Sequence, residues 1–222
     1  MTPEATERAL LLIDMQRDFL DPQGYIGRSG VDVRVLRTAL EPAQRLLEAA
    51  RRAGIRVIHT REGHRPDLCD LNPAKRRRAE RAGAAIGSAG PLGRLLVRGE
   101  PGHAIVAELA PLPGESVIDK PGFGAFYATD LELILRAAGI RALTLAGVTT
   151  DICVHSTLRE AVDRGFECET VADACAAADP RVHAAMLDCI AGESGILGRV
   201  VHSEELIRQW ASARSAERLR HA

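Results

Sequence analysis

Short apolar runs rich in Val, Ile and Leu alternate with amphipathic stretches along this chain, and that alternation constrains its fold more than any other feature. Parallel strands buried on both faces read as near-continuous apolar segments, and the helices that cross over between them carry one apolar face. Runs at about 9–14, 55–60, 115–119, 142–148, 167–171 and 198–202 read as such strands. The expected fold is α/β, a single-domain Rossmann-like three-layer sandwich with a six-stranded, mainly parallel sheet. With 222 residues, 46% of them apolar, the chain is long enough to bury one such core, so a single domain is read over 1–222 behind an N-terminal tail at 1–7.

Helices are expected over 33–52, ending before Gly54, and over 129–138, opened by Thr129 and stopped at Gly139. Three more are expected over 153–164, 180–191 and 203–218, the last with Glu204 and Glu205 in its first turn, where the helix dipole favours acids. The exception is the connection 61–113, dominated by Gly, Pro and Arg, with short helices only around 73–81 and 103–109. Connections of that length usually carry function. Its basic run, Lys75 to Arg78, reads as a solvated face or subunit contact and is assigned no catalytic role.

A net charge of −1 supplies no basic field of the kind that binds nucleic acid or anionic lipid. The five cysteines are odd in number and form no CxxC pair, which fits a reduced protein without disulfides or structural zinc. The first residues carry acids rather than an apolar leader, and no apolar run approaches the roughly 20 residues of a membrane span. A cytoplasmic location is expected.

Three polar residues stand at the carboxyl ends of expected strands: Asp14 after AlaLeuLeuLeuIle, Lys120 after ValIleAsp, and Cys153 just after LeuThrLeuAlaGlyVal. In an open parallel sheet those ends face one crevice, so residues distant in sequence can share a pocket. Singly, each has a plainer meaning: a turn-forming Asp, an exposed Lys, a small buried Cys. Cys153 stands out because its segment reads as strand, tight turn and a helix beginning at the Cys. A helix N-terminus and a nearby Lys would lower the thiol pKa toward neutrality, and the same amides could hold an oxyanion.

The segments LeuIleAspMetGlnArgAspPhe, ValIleAspLysPro and GlyValThrThrAspIleCysValHisSerThr resemble, in order, the motifs of the isochorismatase-like cysteine hydrolases, over roughly residues 8–210. ThrArgGluGlyHisArgProAspLeu, ValArgGlyGluProGly and AlaThrAspLeuGluLeuIleLeuArg are similar to the biuret hydrolase branch, including triuret hydrolases. The resemblance implies a catalytic triad of Asp14, Lys120 and Cys153, an oxyanion hole from the backbone N–H groups of Thr149 and Cys153, and a cis Val148–Thr149 bond. It also implies that Phe19 lies over the substrate, that no cofactor is needed, and that the protein is a homo-oligomer, a tetramer by analogy. The implied reaction is hydrolysis of a linear amide C–N bond of a small urea-like compound, with ammonia leaving.

True isochorismatases generally lack the nucleophilic Cys, and the nicotinamidase branch binds metal through an Asp-x-His pair absent from HisThrArgGluGlyHisArgProAsp, so no metal is expected; His59 and His64 read as structural or substrate-facing. Two positions depart from the biuret branch: Phe123 stands where a Lys is expected, and Glu193 where a Gln is. If both line the pocket, its charge falls by about two units, which favours a cationic, guanylurea-like substrate over biuret or triuret. Phe123, Phe126 and Tyr127 cluster beside Lys120 as a possible apolar wall. The rival from another class is a catalytically inactive binding or assembly protein with the same fold.

Overall fold

The computed structural model describes residues 4–220, with side chains through residue 213. Six strands form one sheet: β1 (Arg8–Ile13), β2 (Arg56–Glu62), β3 (Ser116–Lys120), β4 (Ala142–Val148), β5 (Glu167–Ala176) and β6 (Arg199–Val201). Their spatial order is β3-β2-β1-β4-β5-β6. Every pairing is parallel, so "mainly parallel" sharpens to fully parallel. The chain starts in the middle, winds outward through β2 and β3, then returns to build the other half from β4. Strand order therefore reverses between β1 and β4, and the crevice at such a switch point is where open α/β sheets bind ligands.

Side-chain alternation along β1 builds the three layers. Leu10 and Leu12 point into one core with Leu46, Leu47 and Ala50 of α1 (Leu40–Ala53). Ala9, Leu11 and Ile13 point into the other, with Leu135 of α3 (Leu131–Ala137) and Leu158 and Ala161 of α4 (His155–Asp163). Each fully buried Leu stabilises the fold by roughly 1.5–3 kcal/mol relative to exposure. Between these helices lies α2 (Pro73–Arg81), and the layers are completed by α5 (Pro180–Gly195) and α6 (Ser203–Arg220). No helix among the described residues is long and apolar enough to cross a membrane.

Several boundaries differ from the sequence reading. The expected helix over 33–52 is two: Val33–Arg37, capped by the Asp32 side chain, and α1, which ends at Gly54 in the left-handed region at φ 71°. Thr129 lies two residues before α3, where its Oγ1 donates to the Ala125 carbonyl at 2.6 Å and accepts from the Leu131 N–H at 3.3 Å. The segment 103–109 forms two 3-10 turns, Pro101–His103 and Ala107–Leu109, rather than a helix. Strand β2 runs two residues beyond the expected end, to Glu62. The helical path at Cys153 begins upstream of the Cys, as a π-helical turn over Thr150–Val154 that continues into α4.

Candidate active site

Asp14 leaves β1 with a left-handed backbone, φ 53°, a conformation Asp tolerates better than most residues at a cost of roughly 1–2 kcal/mol. Its amide donates to the Thr60 carbonyl and to Thr60 Oγ1, both at 3.2 Å, while Thr60 Oγ1 donates to Asp14 Oδ1 at 2.6 Å. The other oxygen, Oδ2, lies 2.6 Å from Lys120 Nζ yet accepts no well-directed hydrogen bond among the described residues. The Lys120 ammonium instead donates to the carbonyls of Gly122 at 3.0 Å and Phe123 at 2.8 Å. We read the Asp14–Lys120 contact as a charge pair that leaves an Asp14 lone pair free, the condition a proton acceptor requires. Asp14 and Lys120 are both fully buried.

Cys153 is 4% exposed and donates its thiol hydrogen to Glu62 Oε2 at 3.3 Å. Glu62 ends β2, where its backbone is clamped by Gln16: the Glu62 N–H donates to Gln16 Oε1 at 2.7 Å, and Gln16 Nε2 donates to the Glu62 carbonyl at 3.0 Å. The remaining Glu62 oxygen, Oε1, meets Lys75 Nζ at 2.5 Å, and Oε2 lies 3.8 Å from Lys120 Nζ. Lys75 reaches inward from α2, whose phase is set by the Asn72 cap accepting the Lys75 N–H at 2.8 Å; its ammonium also donates to the Pro121 carbonyl at 2.7 Å. The site thus holds two carboxylates, two ammonium groups and one thiol. Carboxylate oxygens of Asp14 and Glu62 and the Cys153 sulfur all lie within 4.8 Å of one another, a spacing also seen in metal sites. Here each carboxylate already has an ammonium partner, so the cluster is charge-compensated without an ion.

Burial pushes the Cys153 thiol well above its ordinary range; Lys120 opposes this and the Asp14 and Glu62 carboxylates reinforce it. This corrects the expectation of a thiol lowered toward neutrality: desolvation and two facing anions outweigh the cation and the helical turn. Burial also raises the Asp14 carboxyl, against the pull of Lys120. Glu62 goes the other way, because Lys75 and Lys120 outweigh its burial and hold the carboxyl low. Lys120, despite burial, is held up by Asp14, Cys153 and Glu62. The site thus shifts its two carboxyls in opposite directions, Asp14 up and Glu62 down, beside a thiol that is itself raised.

The turn that presents Cys153 depends on close backbone approach. A Cβ on Gly147, at φ 138°, would fall 2.1 Å from the Ile13 carbonyl oxygen, so the motif begins with Gly where β4 presses against β1. The Val148–Thr149 peptide is cis, and Thr149 is buried with its carbonyl accepting from the Ile152 and Val154 N–H groups at 3.2 and 3.1 Å. Thr157 Oγ1 donates to the Cys153 carbonyl at 2.7 Å and accepts from the Ala125 N–H at 3.1 Å, tying this turn to the loop after Lys120.

The structure brings Asp14, Lys120, Cys153 and Thr149 to one end of the sheet, and sorts the expected substrate contacts. Phe123 is half-buried over the site, with Lys75 Nζ 5.0 Å and Arg78 Cζ 5.9 Å from its ring centroid. Two cations from α2 therefore stand beside position 123. Phe19 is buried in the core, edge-on to Tyr25 with centroids 6.2 Å apart. The Tyr25 phenol, which sequence reading did not single out, is raised by burial and then by the charges of Glu62 and Cys153. Phe126 packs against Phe166 and Tyr127 is exposed, so the aromatic cluster does not form one wall. Glu193 is exposed with a left-handed backbone, φ 48°, and its side chain makes no hydrogen bond or ion pair among the described residues. His59 and His64 pair with Glu115 and Asp70, each at 3.1 Å.

Fold and site define a parallel α/β protein with a buried, charge-flanked thiol at its topological switch point. The chain belongs to the isochorismatase-like cysteine hydrolases: the isochorismatase domain model matches residues 8–205. It is 35% identical over 190 residues to a ureidoacrylate amidohydrolase, RutB, of Methylorubrum extorquens, covering 80% of this chain and 73% of that one. Its structure is similar to a cysteine hydrolase from Pseudomonas syringae pv. phaseolicola 1448A, with TM-score 0.82, 27% identity and 96% of each chain covered. It is also similar to N-carbamoylsarcosine amidase from Thermoplasma acidophilum, with TM-score 0.67, 26% identity, and 89% of this chain and 96% of that one covered.

Proposed function

We propose that this protein is a cysteine amidohydrolase that cleaves the terminal C–N bond of a small ureido compound and releases ammonia. The observation that carries the reading is the buried Asp14 carboxylate, paired with Lys120 at 2.6 Å, with an oxygen within 4.8 Å of the Cys153 sulfur. The family, and the amidohydrolase and amidase activities named for its relatives, support the same reaction class.

Asp14 takes the thiol proton as the Cys153 sulfur attacks the carbonyl carbon. The transfer turns a carboxylate and a thiol into a carboxylic acid and a thiolate, so the buried charge is unchanged and only moves, with Lys120 in place to stabilise it at either position. The Thr149 and Cys153 N–H groups serve the oxyanion. The C–N bond then breaks, Asp14 returns its proton to the leaving NH2, and ammonia departs from a carbamoyl thioester. Water gives a proton to Asp14, its hydroxide oxygen bonds to the thioester carbon, and the C–S bond breaks. The proton returns to sulfur and leaves the carbamic acid product, the carbonyl keeping its other nitrogen.

A guanylurea-like substrate was favoured on the premise of an added carboxylate and a lost cation. The exposed Glu193 and the two cations over Phe123 weaken both halves of that premise. A neutral or anionic ureido compound, biuret included, fits a site whose carboxylates are already paired. Steady-state ammonia release on biuret, triuret, guanylurea and ureido acids tests this. The expected result is turnover of ureides with guanylurea below them; guanylurea as the best substrate would reverse the preference, and no ammonia from any of them would reject the amidohydrolase.

A further inference from the structure

Glu62 and Lys75 lie outside the triad, yet they are among the most thoroughly buried charged groups at the carboxyl ends of the strands, 3% and 5% exposed. The two Glu62 oxygens divide their work. Oε1 is fixed by Lys75 at 2.5 Å, while Oε2 takes the thiol hydrogen at 3.3 Å. A carboxylate whose backbone is clamped by Gln16 and whose far oxygen is pinned by an ammonium cannot readily turn away, so its near oxygen stays aimed at the reacting sulfur.

When the thiol proton passes to Asp14, Oε2 loses its donor. A buried carboxylate oxygen left without a donor is costly. The amide attacked by Cys153 carries N–H groups on its leaving nitrogen, and in the tetrahedral adduct that nitrogen shares a carbon with the sulfur, so it can approach an acceptor 3.3 Å from the sulfur. We propose that Glu62 is a further catalytic residue that docks the thiol in the resting enzyme and the substrate's terminal NH2 during attack, with Lys75 as its positioning residue. This rests on the amidohydrolase reading and deepens it. Substrates need a hydrogen-bearing leaving nitrogen, and those with oxygen in that place are rejected, because a site built to accept N–H discriminates strongly against analogues lacking it. Lys75 keeps Glu62 an acceptor rather than a competing acid, which leaves Asp14 as the group that takes the proton.

The test compares a terminal ureide with the methyl carbamate that carries OCH3 in place of its NH2, in the wild type and in the Glu62→Gln, Lys75→Met and Lys75→Arg variants. Circular dichroism monitors folding. Glu62→Gln is expected to lower kcat/KM on the ureide at least about tenfold and to shrink the ureide-over-carbamate preference by a similar factor. Lys75→Met is expected to move the acid limb of kcat/KM to higher pH, and Lys75→Arg to restore it. Unchanged preference in Glu62→Gln, or an unmoved acid limb in Lys75→Met, would overturn the proposal. A second readout needs no turnover: the pH dependence of Cys153 alkylation by iodoacetamide, followed by mass spectrometry, is expected to shift to lower pH in Glu62→Gln, because an anion facing the thiol has been removed. An unmoved profile would also overturn the proposal. If the wild type cleaves no ureide while that profile shifts, the amidohydrolase reading fails and the Glu62–thiol contact survives.

Discussion

At the carboxyl ends of the strands, Asp14, Glu62, Lys75 and Lys120 surround a buried thiol; at the amino ends, Arg8, Arg199 and Glu169, and separately Arg51 and Glu115, pair beside open clefts. One of those clefts, about 520 Å³, even exposes a cysteine wall at Cys168. The inventories look alike, but the hydrogen bonding does not. Glu169 gives one oxygen to Arg8 at 2.7 Å and the other to Arg199 at 3.0 Å. Glu115 takes Arg51 twice at 2.8 Å and the Leu112 N–H at 2.8 Å. Both oxygens of each carboxylate there are engaged by arginines, and Cys168, pushed up to about 12 by burial and then by Glu169, donates only to a carbonyl. Cys153 is also raised by burial, but it has the Asp14 carboxylate and the Lys120 ammonium beside it. Burial of the thiol does not separate the two ends; two carboxylates with oxygens within 4.8 Å of the Cys153 sulfur do.

That contrast sets the expected sizes of four perturbations. Asp14→Asn removes the acceptor and should lower kcat by about 10²–10⁴-fold; near-normal turnover would erase the distinction between the two ends. Lys120→Met leaves two buried carboxylates with one ammonium and should destabilise the fold by about 3–5 kcal/mol, read by urea denaturation. At the amino end, Glu115→Gln should change stability and leave kcat intact. Burial pushes the Glu115 carboxyl up, but Arg51, the Leu112 amide and His59 together hold it down at about 2, below an ordinary 4.5. A depressed folded-state value means the contribution is present above pH 4.5 and is lost as pH falls toward 2. Glu115→Gln should therefore cost up to about 3 kcal/mol at pH 7, with the difference vanishing in acid. Arg199→Ala, whose side chain is 60% exposed, should cost less than about 1 kcal/mol in the same denaturation assay.

How legible each residue was in the sequence follows from the physics that places it. Asp14, Lys120 and Cys153 each terminate an apolar run, and parallel topology alone sends such ends to one crevice. Glu62 was hidden because β2 finishes in HisThrArgGlu, a polar tail that looks like loop although its backbone still pairs with β3 as far as Glu62 opposite Lys120. Lys75 was hidden inside a basic run, where composition suggests a solvated face. The signal that could have found it is phase: AsnPro fixes the start of α2, and from that start Lys75 and Ala79 share the inward side while Arg76, Arg77 and Arg78 do not. Glu193 matches a family position by resemblance alone, and a left-handed bend at the end of α5 leaves it on the surface. The thiol's proton affinity could not be read at all, because it depends on two carboxylates that come from other strands.

Sulfur as the nucleophile is the step on which the proposed chemistry depends. Ammonia release from a ureide by Cys153→Ala, assayed beside the wild type at matched circular dichroism, is the direct measurement. A fall of at least about 10³-fold is expected; a variant that keeps turning over would contradict the thiol mechanism and leave only the fold.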